Sequence, residues 1–241
     1  MKLWYIAIGL DRESYGPEYC YEFLLHTRFI SNYLSKRIRK SRFTTDGSFN
    51  MISVRLGQPQ TVQCEIVPVD VLRANLPFDQ ENYERIKKTT NCEYYLEKLE
   101  EGFRKASKCK EVPLQTLLDL IDEFRENGCK NEWLHKKRRF KDKGIEVALN
   151  CYFTTWDFRL IATIHSLSTK EVLCSGVLLR TDPDEICFDK EFKDILIDRQ
   201  NIIVTDFLDH PNFAINLDKA IAGKFDFERL PEQCFTGASS E

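Results

Sequence analysis

The sequence predicts an α+β protein, with antiparallel sheet regions at both ends of the chain and a helical midsection. Apolar residues fill positions 3–10, as in a buried strand, and residues 145–153 alternate between apolar and polar side chains. Between these segments, Pro113 opens a stretch in which apolar residues recur at helical spacing. A helical block between two sheet-forming parts is typical of α+β proteins.

The chain has 241 residues, about one and a half times a typical domain. We expect a single α+β domain over residues 1–232, or two closely packed lobes over about 1–110 and 111–232, followed by a frayed tail over 233–241. The composition is 42% hydrophobic and 30% charged. Such a chain can bury a sizeable core without metals or disulfides.

The amino-terminal part is predicted to form a strand, a helix and a hairpin. The first strand ends in a polar turn, and Pro17 is well placed as the first residue of a helix. Extended segments follow at residues 50–56 and 62–69, separated by Gly57 and Pro59. We expect these two segments to pair as a hairpin on the first strand.

Three helices are predicted in the midsection. Asp79 can cap a short helix, and Thr90 with Glu93 has the capping-box spacing for a second. Pro113 opens the third helix and Gly128 closes it. The apolar residues of this third helix share one face: Leu114, Leu117, Leu118, Ile121 and Phe124.

The carboxyl-terminal part is predicted to begin with an antiparallel meander. Its three strands are expected at residues 145–153, 159–165 and 172–179. A helix at residues 188–197, a strand at 202–208 and a helix at 213–222 are expected to follow.

Cysteine usage and hydropathy predict a cytoplasmic protein. The nine cysteines are an odd number without a C-x-x-C pair, so we expect reduced thiols rather than a secreted disulfide framework. The apolar run at residues 3–10 continues into Asp11 without a cleavage site. No apolar run reaches the ~18 residues of a membrane span, so no membrane partner is expected.

The sequence offers no familiar cofactor or metal motif. The four histidines are isolated, and the cysteines lack the short spacings that converge on a zinc ion. Neither G-x-G-x-x-G nor G-x-x-x-x-G-K-[ST] occurs, which argues against P-loop nucleotide hydrolysis. Sequence spacing cannot reveal a catalytic triad, because the three residues of a triad come together only in the folded protein. We expect no cofactor and no metal.

Two acidic arrangements give an alternative, enzymatic hypothesis. Many nucleases hold magnesium with a Pro-Asp dipeptide and a Glu-x-Lys element, and this chain has such a dipeptide ending at Asp184 and such an element starting at Glu191. In those nucleases the two elements lie on neighbouring strands, whereas here they are too close in sequence for that arrangement. Asp206, Asp209 and His210 suit either a divalent ion or a capped turn before a proline. The alternative is therefore a metal-dependent hydrolase or nuclease that uses Asp184, Glu191, Lys193, Asp206 and Asp209.

Two basic runs, over residues 36–42 and 136–143, have the composition of a phosphate-binding surface, and Trp133 and Phe140 flank the second. Each run is also typical of a solvated helix end. The sequence pI near 5.9 gives nucleic-acid binding little support. An RNA-binding adaptor is the third hypothesis, and a nucleic-acid partner is not favoured.

Charge is distributed unevenly along the chain. Residues 181–241 contain 14 acidic and 6 basic side chains, a net charge of −8, whereas the first 180 residues carry a net charge of +5. Seven phenylalanines are interleaved with these acidic residues. An acidic surface with aromatic anchors fits a basic partner, while the simpler interpretation places the phenylalanines in the core and the carboxylates in solvent.

The leading hypothesis is a non-catalytic protein that binds and sequesters a basic protein partner. Immunity proteins that block basic nuclease toxins are one class with this physical logic, because an acidic face covers a basic cleft and accelerates association. The predicted partner-binding residues are all acidic: Asp182, Asp184, Glu185, Asp206, Asp209, Asp226 and Glu228.

Overall fold

A computed structural model of the chain describes residues 1–231. These residues form five helices and twelve strands in three sheets, which confirms the mixed α+β class. The chain divides into two compact units. The first unit comprises Met1–Asn131 with Thr154–Trp156, and the second comprises Glu132–Phe153 with the described residues from Asp157 onward. The predicted tail over 233–241 lies outside the described residues.

The first unit contains one four-stranded sheet and four helices. In chain order its elements are β1 (Tyr5–Leu10), α1 (Pro17–Ser41), β2 (Met51–Gly57), β3 (Cys64–Val67), β4 (Val71–Pro77), α2 (Gln80–Ile86), α3 (Glu93–Cys109) and α4 (Leu114–Glu126). The strand order is β1-β2-β4-β3.

The pairing in this sheet differs from the predicted antiparallel hairpin. β1, β2 and β4 are parallel, and only β3 runs antiparallel, beside β4 rather than β2. The 25-residue α1 returns the chain to the end where β1 began, as in any strand-helix-strand crossover. The hairpin forms one segment later, where Val69 and Asp70 adopt left-handed backbone angles between β3 and β4. An alternation of apolar residues identifies a strand but does not show which strand it pairs with in the sheet. The parallel pairing was therefore not visible in the sequence.

Helix α1 covers the free edge of β1. The Ser35 hydroxyl accepts a hydrogen bond from the Ile6 N–H at 2.9 Å and donates one to the Ile6 carbonyl at 3.2 Å. Farther along the helix, the Arg39 Nε donates to the Trp4 carbonyl at 3.0 Å. These side chains satisfy backbone groups that an open edge strand would leave available for pairing with another chain.

Arg125 joins α4 to α3. Its guanidinium donates to both carboxylate oxygens of Glu93 and to Glu100, at 2.8–3.1 Å. Glu93 therefore does not close the predicted capping box with Thr90; instead, the Asn91 side chain accepts the Glu93 N–H. Because α3 and α4 lie side by side, the start of α3 comes close to the turn that follows α4.

A disulfide joins Cys92 to Cys129 within the first unit, which corrects the prediction of reduced thiols throughout. The two residues are 37 positions apart, and their Cα atoms lie 6.7 Å apart. Cys92 precedes α3, and Cys129 follows α4 with a left-handed φ of 57°. The pairing of the two helices brings these cysteines together, which their spacing in sequence does not reveal.

The second unit contains two four-stranded sheets. Its elements are β5 (Asn131–Phe140), β6 (Ile145–Phe153), β7 (Phe158–Ser166), β8 (Val172–Thr181), β9 (Ile195–Asp198), β10 (Asn201–Thr205), β11 (Pro211–Asn216), α5 (Leu217–Ile221) and β12 (Phe227–Arg229). One sheet has the order β5-β6-β7-β8 and the other β12-β11-β10-β9. The pairs β6/β7, β7/β8, β9/β10, β10/β11 and β11/β12 are antiparallel.

Of the two helices predicted in this part, the first is absent and the second is shortened by a strand. Residues 188–197 contain turns and the start of β9, and the predicted helix at 213–222 is reduced to the five-residue α5 after β11. Pairing with β10 on both sides explains the difference, since tertiary contacts override weak local helix preference. Within residues 1–231, no helix combines the length and apolar character needed to cross a membrane.

The second basic run forms strand β5 rather than a helix end. Every second side chain of the run contacts the same carboxylate, because alternate side chains of a strand point to the same face of the sheet. Lys137 and Arg139 each contact Glu146 at 2.6 Å, whereas Lys136 and Arg138 lie 3.3 and 3.5 Å from Asp194. Alternate cations thus have different carboxylate partners, and the charges hold β5 in place at the sheet edge.

The Glu146 cluster predicts a loss of stability in acid. Hydrogen bonds from Arg139 and then Lys137 lower the pKa of Glu146 to about 2, below its ordinary value of 4.5. A carboxyl group whose pKa is lower in the folded state stabilises the fold above its unfolded pKa. We therefore expect the free energy of unfolding to fall as the pH drops from about 4.5 to about 2.

Denaturant unfolding measured across this pH range tests the cluster. Glu146→Gln should be less stable than the wild type at pH 7, and its stability should fall less steeply in acid. Asp142→Asn is the matched control, because Asp142 is exposed and lies 3.7 Å from Lys143. Equal acid slopes for Glu146→Gln and the wild type would contradict the prediction.

Candidate functional site

The seven acidic residues predicted to bind a partner lie at three places in the second unit. Asp182, Asp184 and Glu185 follow β8, Asp206 and Asp209 lie in the loop between β10 and β11, and Asp226 and Glu228 lie at β12.

The last two groups lie at different positions along one hairpin: Glu228 pairs with Ala214 in the middle of β11, and Asp226 lies at the end opposite the loop. Asn201 pairs with Asn216 at one end of the β10–β11 hairpin, and the Asn216 N–H donates to the Asp226 carbonyl there. Asp206 begins the loop at the other end, which a five-residue strand places roughly 16 Å away. The fold therefore separates these acidic groups instead of gathering them on one patch.

The group after β8 is built around a buried carboxylate. Asp184 is 3% exposed, and its Oδ1 accepts the Ile186 N–H at 3.1 Å. It thereby caps the single 3₁₀ turn Glu185–Cys187. Asp182 is exposed beside it. Of this group, Asp184 therefore shapes the loop, and Asp182 is exposed to solvent.

The loop between β10 and β11 is fixed by Asp206. Its Oδ1 accepts hydrogen bonds from the Leu208 and His210 N–H groups, both at 2.8 Å, and its Oδ2 lies 3.4 Å from His210 Nδ1. Asp209 has a left-handed φ of 68°, and its carboxylate accepts from Lys193 Nζ at 2.6 Å. One side chain thus satisfies two backbone groups of the turn, which fixes the loop's shape.

This loop presents two apolar side chains to solvent. Phe207 is 46% and Leu208 is 56% exposed. The sequence predicted both in a strand over 202–208, but β10 ends at Thr205 because Asp206 turns the backbone. The signal that was available is the run Asp206 to Pro211, in which turn-forming residues flank the apolar pair.

A cleft of about 400 Å³ opens beside the loop. Its lining residues include Lys190, Glu191, Asp206, Phe207 and Arg229. Glu191 accepts hydrogen bonds from the Asn212 side chain at 3.1 Å and from the Arg229 guanidinium. Lys190 Nζ lies 5.3 Å from the centre of the Phe207 ring. The apolar tip therefore adjoins a cleft of mixed charge.

The third acidic group lies along the edge strand β12. Asp226 Oδ2 accepts from Lys219 Nζ at 2.6 Å, and this hydrogen bond lowers the pKa of Asp226 below its usual value. Glu228 is exposed on β12. Both residues line a shallow depression of about 300 Å³ together with Asn201 and Asn216. This patch offers amide and carboxylate groups at a sheet edge.

Much of the acidic charge is balanced within the chain. Lys193 pairs with Asp209, Lys219 with Asp226, and Arg229 with Glu191. The Glu-x-Lys element considered for magnesium is thus engaged in ion pairs. No group of three or more His, Cys, Asp or Glu side chains within residues 1–231 is arranged to hold a metal ion.

The fold and this site define a two-unit α+β protein whose second unit carries a hydrogen-bonded, apolar-tipped loop beside a charged cleft. No family model, curated protein sequence or solved structure matches the chain.

Proposed function

We propose that this protein acts by binding another protein, without catalysis, through a surface centred on the β10–β11 loop. The observation that carries the proposal is the exposure of Phe207 and Leu208 on a loop that Asp206 holds in one shape. Exposed aromatic and aliphatic anchors with a polar rim are typical of protein interfaces. A preorganised loop loses little conformational freedom on binding, so more of the contact energy appears as affinity.

The net charge of the carboxyl-terminal region favours a basic partner. Residues 181–241 carry a net charge of −8, and Asp182 and Glu228 are exposed within this region. Charges at the rim of an interface mainly accelerate association, whereas buried apolar anchors set the dissociation rate. The narrower proposal is that the partner is a basic toxin and this protein an immunity-type inhibitor that sequesters it.

The first experiment identifies the partner and links it to the loop. The tagged full chain is used to purify binding proteins from its native cells, at low and at high salt, and mass spectrometry identifies what is recovered. The double variant Phe207→Ala/Leu208→Ala is compared with Val172→Ala, which shortens a 55% exposed side chain on β8. We expect a basic protein that the wild type and Val172→Ala retain and the double variant loses.

With the purified partner, the loss of the two anchors should raise the Kd by about tenfold or more. Glu228→Gln should instead slow association and weaken its dependence on salt, with the dissociation rate little changed. Equal affinities for the double variant and the wild type would overturn the proposed surface. If the partner is a toxin, the wild type should inhibit its activity and the double variant should not.

A further inference from the structure

Strand β12 forms an open edge of its sheet in the second unit. It is the last strand in the order β12-β11-β10-β9, so no strand among residues 1–231 pairs with its outer side. All three of its residues are exposed, and the Phe227 side chain is 39% exposed. The outward backbone groups of an exposed edge strand are a template for a strand of another chain.

The hydrogen bonds between β11 and β12 show which backbone groups face outward. The Leu230 N–H donates to the Asn212 carbonyl at 2.8 Å, and the Asn216 N–H donates to the Asp226 carbonyl at 3.0 Å. In an antiparallel pair, residues alternate between bonding the neighbouring strand and facing away from it. Glu228 lies midway between these two positions on β12, so its backbone also bonds β11.

The N–H and carbonyl groups of Phe227 and Arg229 therefore point away from β11. At the opposite edge of the sheet, β9 is contacted by β5, where Arg138 Nη1 donates to the Ile195 carbonyl at 2.6 Å. The second unit thus engages an edge carbonyl of β9, whereas β12 presents two N–H and two carbonyl groups at an exposed edge.

We propose that an extended segment of the basic partner adds to β12 as a further antiparallel strand. This inference rests on the proposed function, because it names how that partner is held. Main-chain hydrogen bonds to an exposed sheet edge are a common mode of peptide recognition. The cleft beside the β10–β11 loop is lined by both Phe207 and Arg229, so a segment on β12 adjoins the apolar loop tip.

The side chains of β12 favour a strand in which basic and apolar residues alternate. Glu228 is exposed and shares its depression of about 300 Å³ with Asn201, Asn216 and Asp226. A basic side chain directly opposite Glu228 lies on the same face of the sheet, where opposite charges on neighbouring strands attract. Phe227 points to the other face, where an apolar neighbour covers its ring. Charge therefore selects a basic segment over an acidic one.

Solution NMR of the full chain with synthetic peptides tests this mode of binding. The probe is a short peptide in which valine and lysine alternate, so that valines lie opposite Phe227 and Arg229. One matched peptide has glutamate in place of lysine, and the other carries methyl groups on the valine nitrogens, which are the donors that face β12. We expect the valine–lysine peptide to shift the amide signals of Phe227 and Arg229 and to slow their hydrogen exchange. Both matched peptides should leave these signals unchanged.

Phe227→Pro removes one outward N–H, and Phe227→Ala is its matched control, because both lose the ring but only proline loses the donor. Proline is tolerated where the N–H of an edge strand faces solvent, so the sheet should remain intact, which circular dichroism and thermal unfolding check. We expect the valine–lysine peptide to bind Phe227→Pro about fivefold more weakly than Phe227→Ala, through loss of one neutral hydrogen bond.

The variant Phe207→Ala/Leu208→Ala separates this inference from the proposed function. It should bind the peptide like the wild type, because the loop contributes no backbone group to β12. A partner that requires the loop but binds Phe227→Pro and Phe227→Ala equally would overturn strand addition and leave the proposed surface standing. Equal binding of the lysine and glutamate peptides, or no shift at β12 at millimolar peptide, would also overturn it. So would a wild type that pairs with a second copy through β12 and becomes monomeric in Phe227→Pro.

Discussion

Gly102→Ala is expected to lower the free energy of unfolding of the first unit by about 2–3 kcal/mol. At an exposed helical position the same change stabilises by about 1 kcal/mol, because alanine is the better helix former. Gly102 lies inside α3, where an added Cβ would come within 2.3 Å of Val54 Cγ2 and 2.8 Å of its Cγ1. Val54 is fully buried on the central strand β2, and its branched side chain has little freedom to turn away.

A double-mutant cycle measures this close contact. Val54→Ala alone should cost about 2 kcal/mol through the cavity that it leaves. The double variant should be more stable than the sum of the single effects predicts, by at least about 1 kcal/mol, because each change makes room for the other. Denaturant unfolding, with hydrogen exchange read in β1 and β2, reports on the first unit.

Gly9→Ala is the matched control for the helix variant. Gly9 lies in β1 of the same sheet, and its added Cβ would meet only Leu24 Cδ2, at an ordinary contact distance of 3.6 Å. It should change the stability by no more than about 0.5 kcal/mol. A Gly102→Ala variant as stable as Gly9→Ala would show that α3 can move away from β2.

The helices were predictable where local chemistry determines them. α1 begins at Pro17, and Asp79 caps α2 by accepting the Asn82 N–H, as their sequence patterns indicate. The close packing of α3 on β2 was not predictable, because Gly102 acts through Val54, a residue distant in sequence. Strand β5 was missed for a related reason: its cations are held by Glu146 and Asp194, which only the folded sheet brings near.

The candidate site was also predictable only in its local features. The composition showed that the carboxyl-terminal region has a negative net charge. It did not reveal that Lys193 and Lys219 neutralise Asp209 and Asp226, or that Asp206 uses its carboxylate to shape a loop. Ion pairs between strands reduce the negative electrostatic potential at the protein surface. For this reason the apolar loop tip is the stronger basis for a binding surface.

Removal of the Cys92–Cys129 disulfide is expected to have the largest effect on stability. Closing a loop between two cysteines that are 37 positions apart in sequence restricts the unfolded chain by about 4 kcal/mol in the chain-entropy account. The variant Cys92→Ala/Cys129→Ala removes the bond without leaving an unpaired thiol. We expect its first unit to be less stable by about 2–5 kcal/mol, and its stability to be the same with and without a reducing agent.

The wild type supplies the complementary measurement. Reduction should bring its stability down to that of the double variant, and reoxidation should restore it. Cys20→Ala serves as the control for loss of a buried cysteine, since Cys20 is not disulfide-bonded, and it should keep the full response to the reducing agent. A wild type whose unfolding is insensitive to reduction would contradict the stabilising role of the bond.

The same bond makes the predicted cytoplasmic location testable. Glutathione and thioredoxin keep cytosolic thiols reduced, so a structural disulfide is typical of oxidising compartments. Rapid acid quenching of native cells, followed by alkylation and peptide mapping, reports whether Cys92 and Cys129 are joined there. If the protein is cytoplasmic, we expect both as thiols and a first unit weakened by the amount that reduction removes in vitro. A fully bonded pair in cells would contradict that location.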